Sequence, residues 1–197
     1  MFICVLFIDF MISLHGQKIM KGITYCIVSI LILFSASNSY SYSKKDFKAF
    51  GIQELKEEAP NFTIMTSNGK KASMNDYRGK AVILHFWATW CKPCKDEFPL
   101  FEKLYQNFKD REIVFLPISI DLKASREEVE KFAKGFGLSC QVYLAREGDV
   151  TNRYWTWGVP VTYFINKKGW IIGRALGPRD WASDKSNELI NSLIEDM

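Results

Sequence analysis

The chain is poor in histidine: its 197 residues include only His15 and His85. A metal centre built on several imidazoles is thereby excluded. With His15 in the N-terminal region, any Cys/His nucleophile pair would have to use His85. Cysteine is scarce as well, with Cys4 and Cys26 near the N-terminus, the close pair Cys91 and Cys94, and the isolated Cys140. A four-thiolate zinc site has no second pair to draw on. Charge of one sign is missing: 26 basic residues against 22 acidic ones give a net charge of +4 without a long basic run, so no nucleic-acid partner is expected. No apolar run reaches the roughly 20 residues that a transmembrane helix needs. There is no internal repeat, and 48% hydrophobic with 24% charged residues is ordinary globular composition, which excludes a disordered or collagen-like chain.

Two shorter apolar stretches are present at the N-terminus, Phe2 to Leu14 interrupted by Asp9, and Ile23 to Phe34. The second reads as a signal peptide. Met20-Lys21 supplies a start and a positive charge, Ile23 to Phe34 the apolar segment, and Ser35 to Ser41 small residues for a peptidase. Residues 1–41 are therefore expected to be a leader, with translation starting at Met20; an uncleaved membrane anchor is the alternative. Residues 42–58, rich in charge, are expected to be a linker, and residues 59–197 the folded domain. Export would place that domain in the periplasm, an oxidising compartment, either soluble or held by the anchor.

Beyond Pro60 the chain alternates short apolar runs with amphipathic ones, the pattern of an α/β domain. Phe62 to Met65, a turn at Asn68-Gly69 and Lys71 to Met74 predict a hairpin. Ala81 to Trp87 is apolar apart from His85, as expected of a strand buried on both faces, and His85 within it reads as a hydrogen-bonded core residue. A helix over 94–108, a strand over 113–120, a helix over 126–136, a strand over 141–144 and a helical stretch over 150–155 follow. Strands over 161–165 and 170–175 and a helix over 183–194 close the chain. The last two strands are joined by too few residues for a crossover, so they must run antiparallel and the sheet is mixed. Cys140 reads as a small hydrophobe at a strand start.

The chemistry gathers at Trp90-Cys91-Lys92-Pro93-Cys94, where the buried strand gives way to the amphipathic helix. Unpaired amides and the helix dipole stabilise a thiolate at the helix start, which makes Cys91 the nucleophile. Cys94, one turn further in, is the resolving thiol. Lys92 and Lys95 add positive potential. A structural disulfide is the plainer reading, but a bridge spanning two intervening residues closes almost no loop and contributes little entropic stabilisation. Redox chemistry explains the pair better.

Phe86-Trp87-Ala88-Thr89-Trp90-Cys91-Lys92-Pro93-Cys94-Lys95-Asp96-Glu97-Phe98-Pro99 resembles the active-site signature of the TlpA/ResA/DsbE branch of thioredoxin-like proteins. The likeness extends over residues 59–194. Ala59-Pro60-Asn61-Phe62 to Arg78-Gly79-Lys80 is similar to that branch's hairpin and lead-in, and Gly158-Val159-Pro160-Val161-Thr162 to its cis-proline loop. The resemblance implies a thioredoxin-like fold: a mixed central sheet with flanking helices and an added N-terminal β-hairpin. It also implies an exported, monomeric thiol–disulfide oxidoreductase that needs no cofactor beyond the Cys91/Cys94 couple and no metal.

In this family, partners would be exported proteins carrying thiols or disulfides, with a membrane electron donor, often in cytochrome c or copper-oxidase assembly. Electron flow leans towards reduction, because no histidine stands between the cysteines. Spacing alone would leave Glu97 a solvated helix carboxylate; the resemblance makes it the proton carrier for Cys94. Trp90, Val159 and Pro160 would bind substrate, the Val159 backbone pairing with an extended chain beside Cys91. A thiol peroxidase would need Thr or Ser three residues before its cysteine and Pro seven before, where this chain has Ala88 and Leu84. A Cu(I) chaperone could use two thiolates, but the distal histidine usual in thioredoxin-fold copper proteins is missing.

Overall fold

The computed structural model describes residues 47–195, apart from 49, 67 and 68; the expected leader lies outside the described residues. Seven consecutive buried residues, Ala81–Trp87, form the centre of the sheet as β4. Odd-numbered positions of β4 face one side and even-numbered positions the other, so a strand with both faces covered has to be apolar throughout. Around it are β1 (Ile52–Glu58), β5 (Ile113–Ser119), β6 (Tyr143–Leu144), β7 (Val161–Ile165) and β8 (Trp170–Leu176), in the order β1-β8-β7-β4-β5-β6. β4 pairs parallel with β5 and antiparallel with β7, and β7 pairs antiparallel with β8, which gives the mixed sheet expected of a thioredoxin-like fold. Pro117 is tolerated inside β5 because β6 pairs only with Ile118 and Ser119, leaving no partner for the missing amide.

One face of the sheet is covered by α1 (Lys92–Phe108), α2 (Arg126–Gly135) and α3 (Asp184–Glu195), whose Phe98, Phe101, Leu104, Val129, Ala133, Leu189 and Leu193 pack on Ile83, Trp87 and Phe164. α2 starts where a capping box predicts, with Ser125 Oγ accepting from the Glu128 amide and Glu128 accepting from the Ser125 amide. The other face carries Val82, Leu84, Phe86, Leu116 and Ile118. It is covered by Phe62, Ile64 and Met74 of the N-terminal hairpin region, where β2 (Thr63–Met65) pairs with β3 (Lys71–Ser73), and by Val150 and Tyr154. Gly69 takes φ +75° in the hairpin turn. The expected helix over 150–155 is only a 3-10 turn, Val150–Asn152, and the expected strand over 141–144 is cut to Tyr143–Leu144. Cys140 therefore lies in the loop before β6.

The expected linker is corrected in its second half. Residues 52–58 form β1, an edge strand registered on β8 from Ile52 opposite Ala175 to Glu58 opposite Trp170, with an irregularity between Glu54 and Glu57. Phe47, Phe50 and Ile52 are buried in the core. The charge that reads as linker is the charge of a sheet edge: a strand with one unpaired side keeps polar residues outward and so resists pairing with other chains. The folded region begins before residue 59.

Candidate active site

The sequence turns from β4 into α1 over Ala88–Cys91, and that turn is pinned from the neighbouring strand. Asp121, just past β5, accepts from the Thr89 amide at 2.9 Å and from its hydroxyl at 2.8 Å, and is itself held by the Ser119 hydroxyl at 2.6 Å. Cys91 is the N-cap of α1, and Cys94 stands in the first turn. The two sulfurs form a disulfide. The Cys94 amide donates to Cys91 Sγ at 3.2 Å. A first-turn amide has no acceptor within its own helix, and this one is aimed at the sulfur, where it favours negative charge over a neutral thiol. Cys91 keeps 3% exposure and Cys94 none, so Cys91 is the sulfur of the pair open to the outside.

Val159-Pro160 is a cis peptide, and the Val159 carbonyl oxygen lies 3.5 Å from Cys91 Sγ. The structure thus brings Cys91, Cys94, Val159 and Pro160 together. Trp90 beside them is 66% exposed. Lys92 and Lys95 sit next to the cysteines but are engaged elsewhere, Lys92 on Asp96 at 2.7 Å and Lys95 over the Phe132 ring at 5.2 Å.

Glu97, on the buried face of α1, is not the solvated carboxylate that its spacing alone suggests. Its Oε2 accepts from the Arg179 amide at 3.0 Å and from Trp181 Nε1 at 2.8 Å. Oε1 points at Nε2 of His85, 3.5 Å away. Burial outweighs the two donors and the Arg179 charge and pushes the carboxyl up to about 7. Burial likewise pushes His85 down to about 3, so the imidazole is neutral and the contact is not an ion pair. As expected, His85 is buried and hydrogen-bonded, its Nδ1 lying 2.8 Å from the Thr162 hydroxyl. Cys140 is pushed up to about 12 by burial, with Glu102 adding to the shift, and so stays a protonated thiol.

Sequence reading missed Arg179 and Trp181, which reach Glu97 from more than 80 positions away. It also missed Asp121, which pins the turn before Cys91. Trp157, in the loop leading to Pro160, is 90% exposed. Beside it Trp155 is anchored through its carbonyl to the Tyr163 hydroxyl and by Arg174 stacked at 5.1 Å, while Trp157 has the freedom of an exposed rim residue.

Residues 55–174 match the AhpC/TSA family. The chain is 35% identical over 152 residues to thioredoxin-like protein YneN of Bacillus subtilis (strain 168), covering 77% of this chain and 86% of YneN. It is 31% identical over 150 residues to the thiol–disulfide oxidoreductase ResA of Bacillus cereus, covering 76% of this chain and 86% of ResA. The chain belongs to the AhpC/TSA family, on its TlpA/ResA/DsbE-like branch. Among solved structures, a thioredoxin-family thiol:disulfide interchange protein from Chlorobium tepidum TLS superposes with a TM-score of 0.60 at 25% identity, covering 72% of this chain and 99% of that one. The AhpC/TSA member described here is a thiol–disulfide oxidoreductase, and its Cys91 and Cys94 stand as a disulfide.

Proposed function

We propose that this oxidoreductase is exported and reduces disulfides in extracytoplasmic partner proteins, with Cys91 attacking, Cys94 resolving and Glu97 carrying the proton of the resolving step. The observation behind this is the placement of Cys91 Sγ between the Cys94 amide and the Val159 carbonyl, at the one end of the couple that keeps any exposure. In the reduced protein the Cys91 thiolate attacks one sulfur of a partner disulfide. A mixed disulfide forms, and the displaced partner sulfur leaves as a thiolate that takes a proton. Cys94 then gives its proton to the Glu97 carboxylate and attacks Cys91 Sγ, releasing the second partner sulfur. The partner has gained two electrons and the protein holds the Cys91–Cys94 disulfide. A membrane electron donor returns the couple to the dithiol, and the protein works as a monomer.

Trp90 and the Val159-Pro160 backbone form the surface on which an extended segment of the partner lies. Cytochrome c or copper-oxidase assembly is the setting that the resemblance to this branch favours. The deciding measurement is the equilibrium potential of the Cys91/Cys94 couple against glutathione. A value near the roughly −270 mV of thioredoxin fits a reductase, and one near the roughly −120 mV of a strong oxidant overturns it.

A further inference from the structure

Nε2 of His85 and Oε1 of Glu97 face each other at 3.5 Å, and neither atom has any other hydrogen-bond partner. Both side chains are sealed from solvent: Phe101 stacks on the imidazole with centroids 4.6 Å apart, and Trp181 meets it edge-on at 6.2 Å. Two unpaired polar atoms side by side in a core are costly unless a proton lies between them. The remaining atoms of the pair are satisfied, Nδ1 by Thr162 from β7 and Oε2 by Arg179 and Trp181 from the loop after β8. Arg179 is the charged residue that acts on Glu97, through its amide and its field. Its guanidinium is turned to the carbonyls of Phe50, Gly51, Gly177 and Pro178.

We propose that His85 is a positioning residue for the proton step assigned to Glu97: by changing tautomer, it keeps that carboxyl hydrogen-bonded in both of its protonation states. When Glu97 holds the proton, Oε1–H donates to Nε2, and the ring carries its hydrogen on Nδ1, donating to Thr162 Oγ1. When Glu97 has given it up, Nε2–H donates to Oε1, and the Thr162 hydroxyl, able to donate as well as accept, turns its hydrogen towards Nδ1. The ring keeps a single N–H throughout. The proton count of the trio changes only by the one that Cys94 gives or takes, so no net charge is left on the imidazole.

A histidine with a purely structural role holds one tautomer at every pH. The inference rests on Glu97 as the proton carrier of the exchange, and its test is separable from that reading. Imidazole ¹⁵N shifts of the full chain labelled at histidine, with the His85 signal assigned by its loss in His85→Asn, report the tautomer with no substrate present. The expected result is Nδ1–H below and Nε2–H above a midpoint near 7, the changeover vanishing in Glu97→Gln. A single tautomer from pH 5 to pH 9 overturns the inference.

Kinetics supply the second arm. His85→Leu should slow resolution of a mixed disulfide about tenfold and shift its pH midpoint, with Cys91 alkylation unchanged, while His85→Asn, which retains a side-chain donor and acceptor, recovers part of the rate. Equal rates and equal midpoints for the two variants count against the proposal. Tautomer switching in a chain that reduces no protein disulfide would sink the exchange reading alone, and exchange with a fixed tautomer would sink this inference alone.

Discussion

The two thiols of the couple differ by three residues in sequence and by one property in space. Cys91, as N-cap, faces the Val159 carbonyl and the exposed Trp90, whereas Cys94 is enclosed in the first turn of α1. Cys94→Ser should therefore accumulate mixed disulfides with protein partners, while Cys91→Ser accumulates none. Diagonal gel electrophoresis without reductant reads the difference, and equal trapping by both variants would reverse or abolish the assignment. Glu97→Gln keeps an oxygen to accept from Arg179 and Trp181 and offers an amide to His85, so the fold should survive it. It removes the titrating proton, and resolution should slow at the lower end of the roughly 10²–10⁴-fold range of general acid–base groups. The rate should also lose its dependence on pH around 7, and stopped-flow kinetics from pH 5 to pH 9 would show this. The pairing of Cys91 with Cys94 and the cis Val159-Pro160 bond were legible in the sequence because each belongs to a compact local motif. The partners of Glu97 were not, because Arg179 and Trp181 are brought to it only by the closing of β8 against the rest of the sheet.

Strands that are buried on both faces read most clearly: β4 and β7 match their expected spans residue for residue, since a continuous apolar run between turn residues admits few alternatives. The edge strand β1 did not, because solvent on its free side makes its composition that of a linker. The segment after β6 failed differently. Its apolar residues Val150 and Tyr154 do pack on the sheet, but a 3-10 turn presents them without a helix. Here Gly148 has a specific role, since a Cβ at this position would stand 1.9 Å from the Thr63 carbonyl oxygen, a backbone atom that cannot move aside alone. The same close approach lets Asp149 accept from the Thr63 amide at 2.8 Å. Gly148→Ala should therefore loosen the hairpin from the sheet and cost about 1–3 kcal/mol, the usual range for overpacking. Urea denaturation would measure it, and a midpoint equal to that of the wild type would remove the claim that this contact seats the hairpin.

At the scale of the whole molecule, the buried pair makes a prediction about stability. The Glu97 carboxyl is raised to about 7 from an ordinary 4.5, so its contribution is full below pH 4.5 and is lost as pH rises through 7. His85 is lowered to about 3 from 6.5, so its contribution is full above pH 6.5 and is lost as pH falls towards 3. Between pH 4.5 and 6.5 the two slopes oppose each other, and the pair adds little net dependence on pH. Removing either member uncovers the other. The stability of Glu97→Gln relative to the wild type should rise with pH between 4.5 and 7, and that of His85→Leu relative to the wild type should fall between 3 and 6.5. Each slope should be at most about 1.4 kcal/mol per pH unit, the value of one proton. The carboxylates Glu112, Glu128 and Asp149 outside the core, whose lowered values come from hydrogen bonds and neighbouring cations, are common to all three proteins and drop out of the differences. Chemical denaturation at half-unit pH intervals gives both difference curves. Curves of the same sign, or two flat ones, would mean that the core does not hold the pair as a neutral acid beside a neutral imidazole.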